Sequence, residues 1–249
     1  MSGQEVFLVT GASKGLGKSI AQQLAKQGYT VIGLARDSQD LSDLDNQLKS
    51  LDSKSQSIIC DLANQTQVRE VAQEIIHRFP AIHGIIHNAG IIGPIGSMFS
   101  IEELSWNKAI SVNLLSVQLL TQILYPAMVN AQRCRVTTIS SGAAINSLES
   151  WSAYCTSKAG LDMWTRCLAD EGSARGISAI SVAPGIVDTD MQANIRSSAK
   201  ADFPMVDRFV KFFENGDLVS PDDVASSLLN LVTSHTMQQS GSRFDVRDL

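Results

Sequence analysis

In the stretch SAYCTSKAG (152–160) a tyrosine and a lysine stand four positions apart, Tyr154 and Lys158, within a segment that reads as helix. Residues i and i+4 share one helical face, so both side chains address the same space. Their ordinary pKa values, about 10 and about 10.4, are too high for easy proton exchange at neutral pH. A neighbouring ammonium favours phenolate and lowers the tyrosine's pKa. The pair is therefore expected to work as a general acid or base, although a Tyr and a Lys that merely share a surface show the same spacing. Two more features bear on the choice. TTISSG (137–142) ends a strand with Ser140 and Ser141, where an open α/β sheet binds its ligands and a hydroxyl can hydrogen-bond a carbonyl oxygen. Asn113 falls inside a long helical tract, a disfavoured place for Asn. Its amide either holds a water behind the lysine or marks a local kink.

A second chemical feature lies near the start. VTGASKGLG (9–17) joins the first predicted strand to the first helix. Gly11, Gly15 and Gly17 permit a tight turn and close backbone approach to a ligand, and the helix start that follows offers free N–H groups and a positive dipole end to a pyrophosphate. The spacing is G-x-x-x-G-x-G, and an ordinary strand-to-helix turn is the plainer alternative. The second strand ends GLARD (33–37). Arg36 and Lys14 then supply two cations where an adenosine ribose would sit, which fits a 2′-phosphate and hence NADP(H) over NAD(H). Asp37 beside Arg36 blurs that reading, and the other possibility is two solvated surface charges.

The elements that must carry these residues follow an alternating pattern. Strands are expected at 5–10, 30–35, 57–60, 83–87, 135–140, 177–183 and 241–246, and helices at 15–28, 40–51, 66–78, 102–130, 152–175 and 222–233, with a less regular stretch at 188–220. Short apolar strands separated by amphipathic helices imply α/β architecture, a doubly wound parallel sheet of about seven strands with helices on both faces. With no linker or repeat, residues 1–249 read as a single domain.

Composition narrows the function classes. The chain of 249 residues is 44% hydrophobic and 18% charged with a net charge of -5, a globular and acidic profile. It has no basic run to engage a nucleic-acid backbone. No apolar stretch is expected to reach the length of a membrane span, and MSGQEVFLVTG (1–11) leads straight into a strand without room for a signal peptide. Cys60, Cys134, Cys155 and Cys167 contain no CxxC, and free thiols in the cytoplasm are expected. His77, His83, His87 and His235 lack metal-ligand spacing, so no metal site is expected.

Taken in order, TGASKGLG, HNAG (87–90), Asn113, Ser141, YCTSK (154–158) and APG (183–185) resemble the short-chain dehydrogenase/reductase pattern over nearly the full chain. Ser141 precedes Tyr154 by thirteen positions, the family's usual spacing, which favours it over Ser140. His87 departs from the Asn that many members carry. The resemblance implies a Rossmann-type sheet and a catalytic tetrad of Asn113, Ser141, Tyr154 and Lys158. It implies cofactor contacts from Gly11, Ser13, Lys14, Gly15, Leu16 and Gly17, from Arg36, and from Asp61 against the adenine with Leu62 beside it. Asn88, Ala89 and Gly90 would wall the site. Pro184, Gly185, Val187, Thr189 and Met191 would lie near the nicotinamide, and Lys158 would also bind its ribose.

SWSAYCTSKAGLDM (150–163) and APGIVDTDMQ (183–192) are similar to the branch that holds sepiapterin reductase and the benzil reductases. That resemblance implies NADPH-dependent reduction of a ketone, above all one carbonyl beside another. Asp245 in the tail SGSRFDVRD (240–248) matches an acidic pterin anchor, or is a surface charge. Trp151 either touches substrate or acts as a hydrophobic staple. Residues from about 190 to 215 resemble a substrate lid, whose Met191, Phe203, Met205, Phe209, Phe212 and Phe213 either line a pocket or pack on the sheet. The alternatives are a 3-oxoacyl-carrier-protein reductase or another alcohol dehydrogenase of the family, and, in a different class, a catalytically silent NADP sensor. The expected partners are a small ketone and further copies of the chain, as a dimer or tetramer built through the long helices.

Overall fold

The computed structural model describes residues 4–249. Seven strands, β1 (Val6–Thr10), β2 (Thr30–Ala35), β3 (Gln56–Ile59), β4 (Gly84–His87), β5 (Cys134–Ile139), β6 (Ile177–Ala183) and β7 (Arg243–Asp245), form one sheet in the order β3-β2-β1-β4-β5-β6-β7. Every neighbouring pair is parallel. β2, β5 and β6 are buried along their whole length, as continuous apolar strands covered on both faces must be.

One face is covered by α1 (Gly15–Lys26), α2 (Gln39–Leu51) and α9 (Pro221–Ser234), which close over Phe7, Val9, Ile20, Leu44 and Leu228. The other carries α3 (Gln65–Arg78), α5 (Ser116–Asn130) and α6 (Ser152–Gly172), packed around Leu8, Ile85, Leu124 and Val136. Polar residues start several of these helices: Ser38, Asn64 and Ser220 each accept a hydrogen bond from a first-turn amide, and Pro221 occupies the first turn of α9.

β1 and β4 are neighbours, yet the chain leaves them toward opposite ends of the sheet. The crevice beyond their carboxyl ends is the switch point where such folds bind ligands. The glycine loop follows β1 and Asn88–Gly90 follow β4, so both line that crevice.

Three expectations need correction. The tract 102–130 is not one regular helix: α4 (Glu103–Ile110) passes through a π-type turn, Ser111–Leu115, into α5. By composition Glu103–Asn130 is long and apolar enough to cross a bilayer, contrary to the expectation that no stretch reaches that length; 50% of its most apolar window is buried within the fold. The stretch 188–220 contains two helices, α7 (Asp190–Arg196) and α8 (Val206–Glu214). Their shortness, seven and nine residues, gives too few turns for a periodic pattern to show.

Candidate active site

Tyr154 and Lys158 project from the buried face of α6 at the carboxyl end of β5. Small residues let that helix sit close. A side chain at Gly160 would lie 2.9 Å from Leu114 of the π-type turn, and Ser157 is fully buried between Tyr154 and Asn113. The Lys158 ammonium donates to the Ile139 carbonyl (2.7 Å) and lies 5.7 Å from the Tyr154 ring centroid. A Cβ placed on Gly90 would be 3.5 Å from the same nitrogen, so Lys158 faces the crevice.

Asn113 is fully buried in the π-type turn, a distortion that recurs at functional sites. Its Oδ1 accepts from the Ile91 amide (2.8 Å), and its Nδ2 donates to the Ile91 carbonyl (3.0 Å) and the Ser157 hydroxyl (3.0 Å). Both amide hydrogens are committed, so a water relay through this side chain has only a remaining Oδ1 lone pair to use. The kink reading and the anchoring role coincide here. Ser141 follows β5, and its hydroxyl accepts from the Ala143 amide (3.1 Å) at the start of a 3₁₀ turn. Ser140 is buried beside it, with no partner for its hydroxyl among the described residues.

Burial, not the ammonium, sets the protonation of this pair. The Tyr154 pKa is pushed up to about 12 by burial, with the nearby Ser141 hydroxyl working in the opposite direction. Burial likewise pulls Lys158 down to about 8, while Asp162 opposes the shift. The expectation that Lys158 lowers the tyrosine therefore fails: desolvation disfavours both charged forms. Burial thus holds Tyr154 as the neutral phenol.

The glycine loop is built for close approach. Gly11 and Gly15 have φ of 66° and 54°, a left-handed region that suits glycine. A Cβ on Gly17 would fall 2.3 Å from the Gly11 carbonyl oxygen. Lys14, at the cap position of α1, makes no capping hydrogen bond, which leaves first-turn amides for a ligand. Ser13 is half-buried and Leu16 buried in this loop, Arg36 is exposed at the end of β2, and Asp61 and Leu62 follow β3. This cradle fits a dinucleotide. Lys14 itself is ion-paired with Asp190, the first residue of α7. Pro184 and Gly185 follow β6, Val187 pairs with Val219, and Thr189 stands at the cap position of α7 beside Gly15, where a Cβ would meet the threonine methyl at 3.1 Å.

Trp151 occupies the cap position of α6 and is not a staple before it. Its ring stacks on Phe203 (centroids 5.2 Å apart, planes 22° apart) and meets Tyr154 edge-on at 5.7 Å. Phe209 joins the group, and Met191, Met205 and Phe212 pack against it half-buried. Phe213 is exposed, with the Arg196 guanidinium over its ring. Asp245 lies beside Ala183, but both its carboxylate oxygens are engaged by Arg247, at 2.8 and 2.6 Å. That fork holds the carboxyl below its usual range.

Thr10, Ser157, Asp162 and Arg243 belong to the site and were not singled out from the sequence. Thr10 joins the two crevice loops: its hydroxyl accepts from the amides of Asn88 and Ala89 (both 3.0 Å), and the Asn88 side chain donates to the carbonyls of Thr10 and Gly11. Ser157 braces Asn113. Asp162 extends the Tyr154–Lys158 face by one turn and pairs with Arg243. Thr10 beside Gly11, Ser157 beside Lys158 and Asp162 four residues beyond it left a trace in the sequence; Arg243, 81 positions from Asp162, did not. His87 is a core residue: its Nε2 lies 2.9 Å from the Thr121 hydroxyl, and burial lowers its pKa to about 3.

The family model described as short chain dehydrogenase matches residues 5–200. A relative from Bacillus subtilis (strain 168), benzil reductase ((S)-benzoin forming), is 38% identical over 98% of this chain and 99% of its own length. The crystal structure of the KRED1-Pglu enzyme superposes with a TM-score of 0.87 at 30% identity, covering 96% of this chain and 100% of that one. A short chain dehydrogenase from Shigella flexneri 2a, solved in complex with NADP, has a TM-score of 0.83 at 25% identity, covering 98% and 97%. With a seven-stranded parallel sheet, the glycine loop at its switch point and the matching family model, the chain belongs to the short-chain dehydrogenase/reductase family of oxidoreductases, which act on carbonyl and hydroxyl groups with a nicotinamide cofactor.

Proposed function

We propose that this protein is an NADPH-dependent carbonyl reductase whose substrates are vicinal dicarbonyls bearing aromatic groups. One observation carries the reading: the buried, protonated phenol of Tyr154 sits against an aromatic cluster of Trp151, Phe203 and Phe209, with Lys158 opening onto the dinucleotide crevice. Similarity to a benzil reductase supports the substrate class. The engagement of Asp245 by Arg247 favours a diaryl diketone over a pterin.

When bound, NADPH supplies the hydride. The loop 11–17 would hold the pyrophosphate, and Arg36 and Lys14 would take the 2′-phosphate. Asp61 and Leu62 would lie at the adenine, Asn88–Gly90 would wall the crevice, and Pro184, Gly185, Val187, Thr189 and Met191 would lie along the nicotinamide side. The Ser141 hydroxyl orients the substrate carbonyl oxygen, and Tyr154 Oη gives its proton to that oxygen as negative charge develops on it. Lys158 would hold the ribose hydroxyls, and its ammonium stabilises the phenolate left behind. Asn113 fixes the loop at Ile91 behind the lysine.

Residues 190–215 act as a lid on this one domain. Phe203 is fully buried on Trp151, so an aromatic substrate group that stacks on Trp151 displaces this lid residue from it. An aryl ketone restores the ring contacts that opening removes, each worth about 0.5–1.5 kcal/mol; an aliphatic one does not. All four cysteines are free thiols, which suits a reducing cytoplasm. Exposed Leu104, Leu115, Tyr125 and Met163 on the long helices support a homodimer or homotetramer.

The test is oxidation of NADPH, and of NADH in parallel, with benzil, an aliphatic vicinal diketone, sepiapterin and an acetoacetyl thioester. Benzil is expected to give the highest kcat/KM, and to give it with NADPH. Turnover of the thioester alone overturns the substrate class, and cofactor binding without turnover of any ketone overturns the catalytic reading.

A further inference from the structure

Arg243, on the last strand, reaches back across the sheet to the catalytic end of β5. Its Nη2 donates to the carbonyl oxygen of Ser141 (3.0 Å), and its Nε donates to Oδ2 of Asp162 (3.1 Å). The pair is largely shielded, with 17% of the Arg243 side chain and 11% of the Asp162 side chain exposed. Asp162 stands one turn beyond Lys158 and two beyond Tyr154 on the buried face of α6. One rigid fork therefore joins the helix that carries the proton donor to the loop that carries the orienting hydroxyl.

We infer that Arg243 is a positioning residue, which fixes the distance and angle between Ser141 and Tyr154 by clamping the Ser141 carbonyl to the Asp162 carboxylate. The inference rests on the role given to Ser141 above. The local geometry explains why a clamp is needed. Ser141 is in extended backbone, with φ -158° and ψ 158°, before a single 3₁₀ turn at Gly142–Ala144. Its hydroxyl accepts from the amide of that same short turn. Ala143 of the turn packs with Trp151 and Tyr154, and Lys158 holds the Ile139 carbonyl two residues before Ser141; the guanidinium adds a directional polar tie at Ser141 itself. The other carboxylate oxygen of Asp162, Oδ1, is buried without a partner among the described residues, so Arg243 is that side chain's one hydrogen-bonding anchor there. Arg suits this task because its planar fork makes two donations in fixed relative directions. A lysine can satisfy one acceptor with comparable charge and leaves the other loose.

The experiment is a double-mutant cycle between Arg243 and Ser141, using the ketone that the unmodified enzyme reduces fastest. R243Q is expected to lower kcat about 10–100-fold, as a misplacement near 1 Å does, with the Kd for NADPH within about twofold of the parent. Residues that act as a unit are not additive. In the S141A background R243Q should therefore lower the residual rate by less than about threefold. R243K should fall between the parent and R243Q, and it carries the same cycle if R243Q does not fold. Equal losses in the two backgrounds, or an unchanged kcat in R243Q, overturn the inference. Full activity in S141A overturns instead the role of Ser141 on which it rests. A crystal structure of R243Q or R243K gives a reading free of turnover: the Ser141 hydroxyl shifts relative to Tyr154 if the inference holds, and an unmoved Ser141 refutes it.

Discussion

Replacing Lys158 by methionine should stabilise the fold while destroying the activity. Burial pulls the lysine from 10.5 down to about 8. At about 1.4 kcal/mol per unit, carrying the ammonium inside the protein costs about 3 kcal/mol at neutral pH. Methionine keeps most of the stem and removes the charge. It also forfeits the 2.7 Å donation to the Ile139 carbonyl, a charged hydrogen bond worth about 1.5–3 kcal/mol. The balance favours K158M by about 1 kcal/mol, or about 2–4 °C in melting temperature for a chain of this size. The sign of the pH dependence is fixed by the direction of the shift. Below about pH 8 the lysine is protonated in both folded and unfolded chains, so its penalty is fully present. Between about 8 and 10.5 the unfolded chain binds the proton and the folded one does not, so wild-type stability rises with pH relative to the variant. Thermal melts followed by circular dichroism from neutral to alkaline pH should show K158M ahead at pH 7 and the difference shrinking, then reversing, on the alkaline side. A variant that melts below the parent at pH 7, by an amount that does not change with pH, refutes the reasoning.

Tyr154→Phe should lower kcat by about 10²–10⁴ while the NADPH Kd measured by fluorescence titration stays put. Arg36→Ala should weaken NADPH about 10–100-fold, the value of a charge-assisted phosphate contact of about 1.5–3 kcal/mol, and leave NADH nearly unchanged; equal losses would remove the 2′-phosphate assignment. Asp190→Asn frees Lys14 from its exposed ion pair. Such pairs are worth at most about 1 kcal/mol, so NADPH should bind up to about fivefold tighter, with NADH unaffected and the gain lost at high salt. Gly17→Ala places a methyl 2.3 Å from the Gly11 oxygen. Overpacking of that kind costs about 1–3 kcal/mol, and calorimetric titration should find dinucleotide affinity reduced by tenfold or more.

What the sequence displayed was whatever depends on neighbours along the chain. The glycine loop, the Tyr154–Lys158 spacing and the alternation of strands and helices are local patterns, and the sheet order follows from them by the rules for parallel crossovers. What it hid depends on distance and burial. Arg243 and Asp162 are 81 positions apart, so no spacing links them. The opposed shifts of Tyr154 and Lys158 come from desolvation, which has no signature in a motif; reading the two side chains as a pair in water gave the wrong sign for the phenol. Asp245 looked available until Arg247, two positions on, took both its oxygens.

The π-type turn at Ser111–Leu115 makes the middle of this gene brittle to frame-preserving indels. A helix advances about 100° per residue, and the wide turn absorbs one residue more than a regular helix would. Losing a single codon there would let the tract close into ordinary α-helix and swing everything on one side of it by about a quarter turn. Asn113 would then leave Ile91, or the apolar stripe of α5 would roll off the sheet. Insertions and deletions in descendants of this chain should cluster elsewhere, at the surface loops, and spare those five residues.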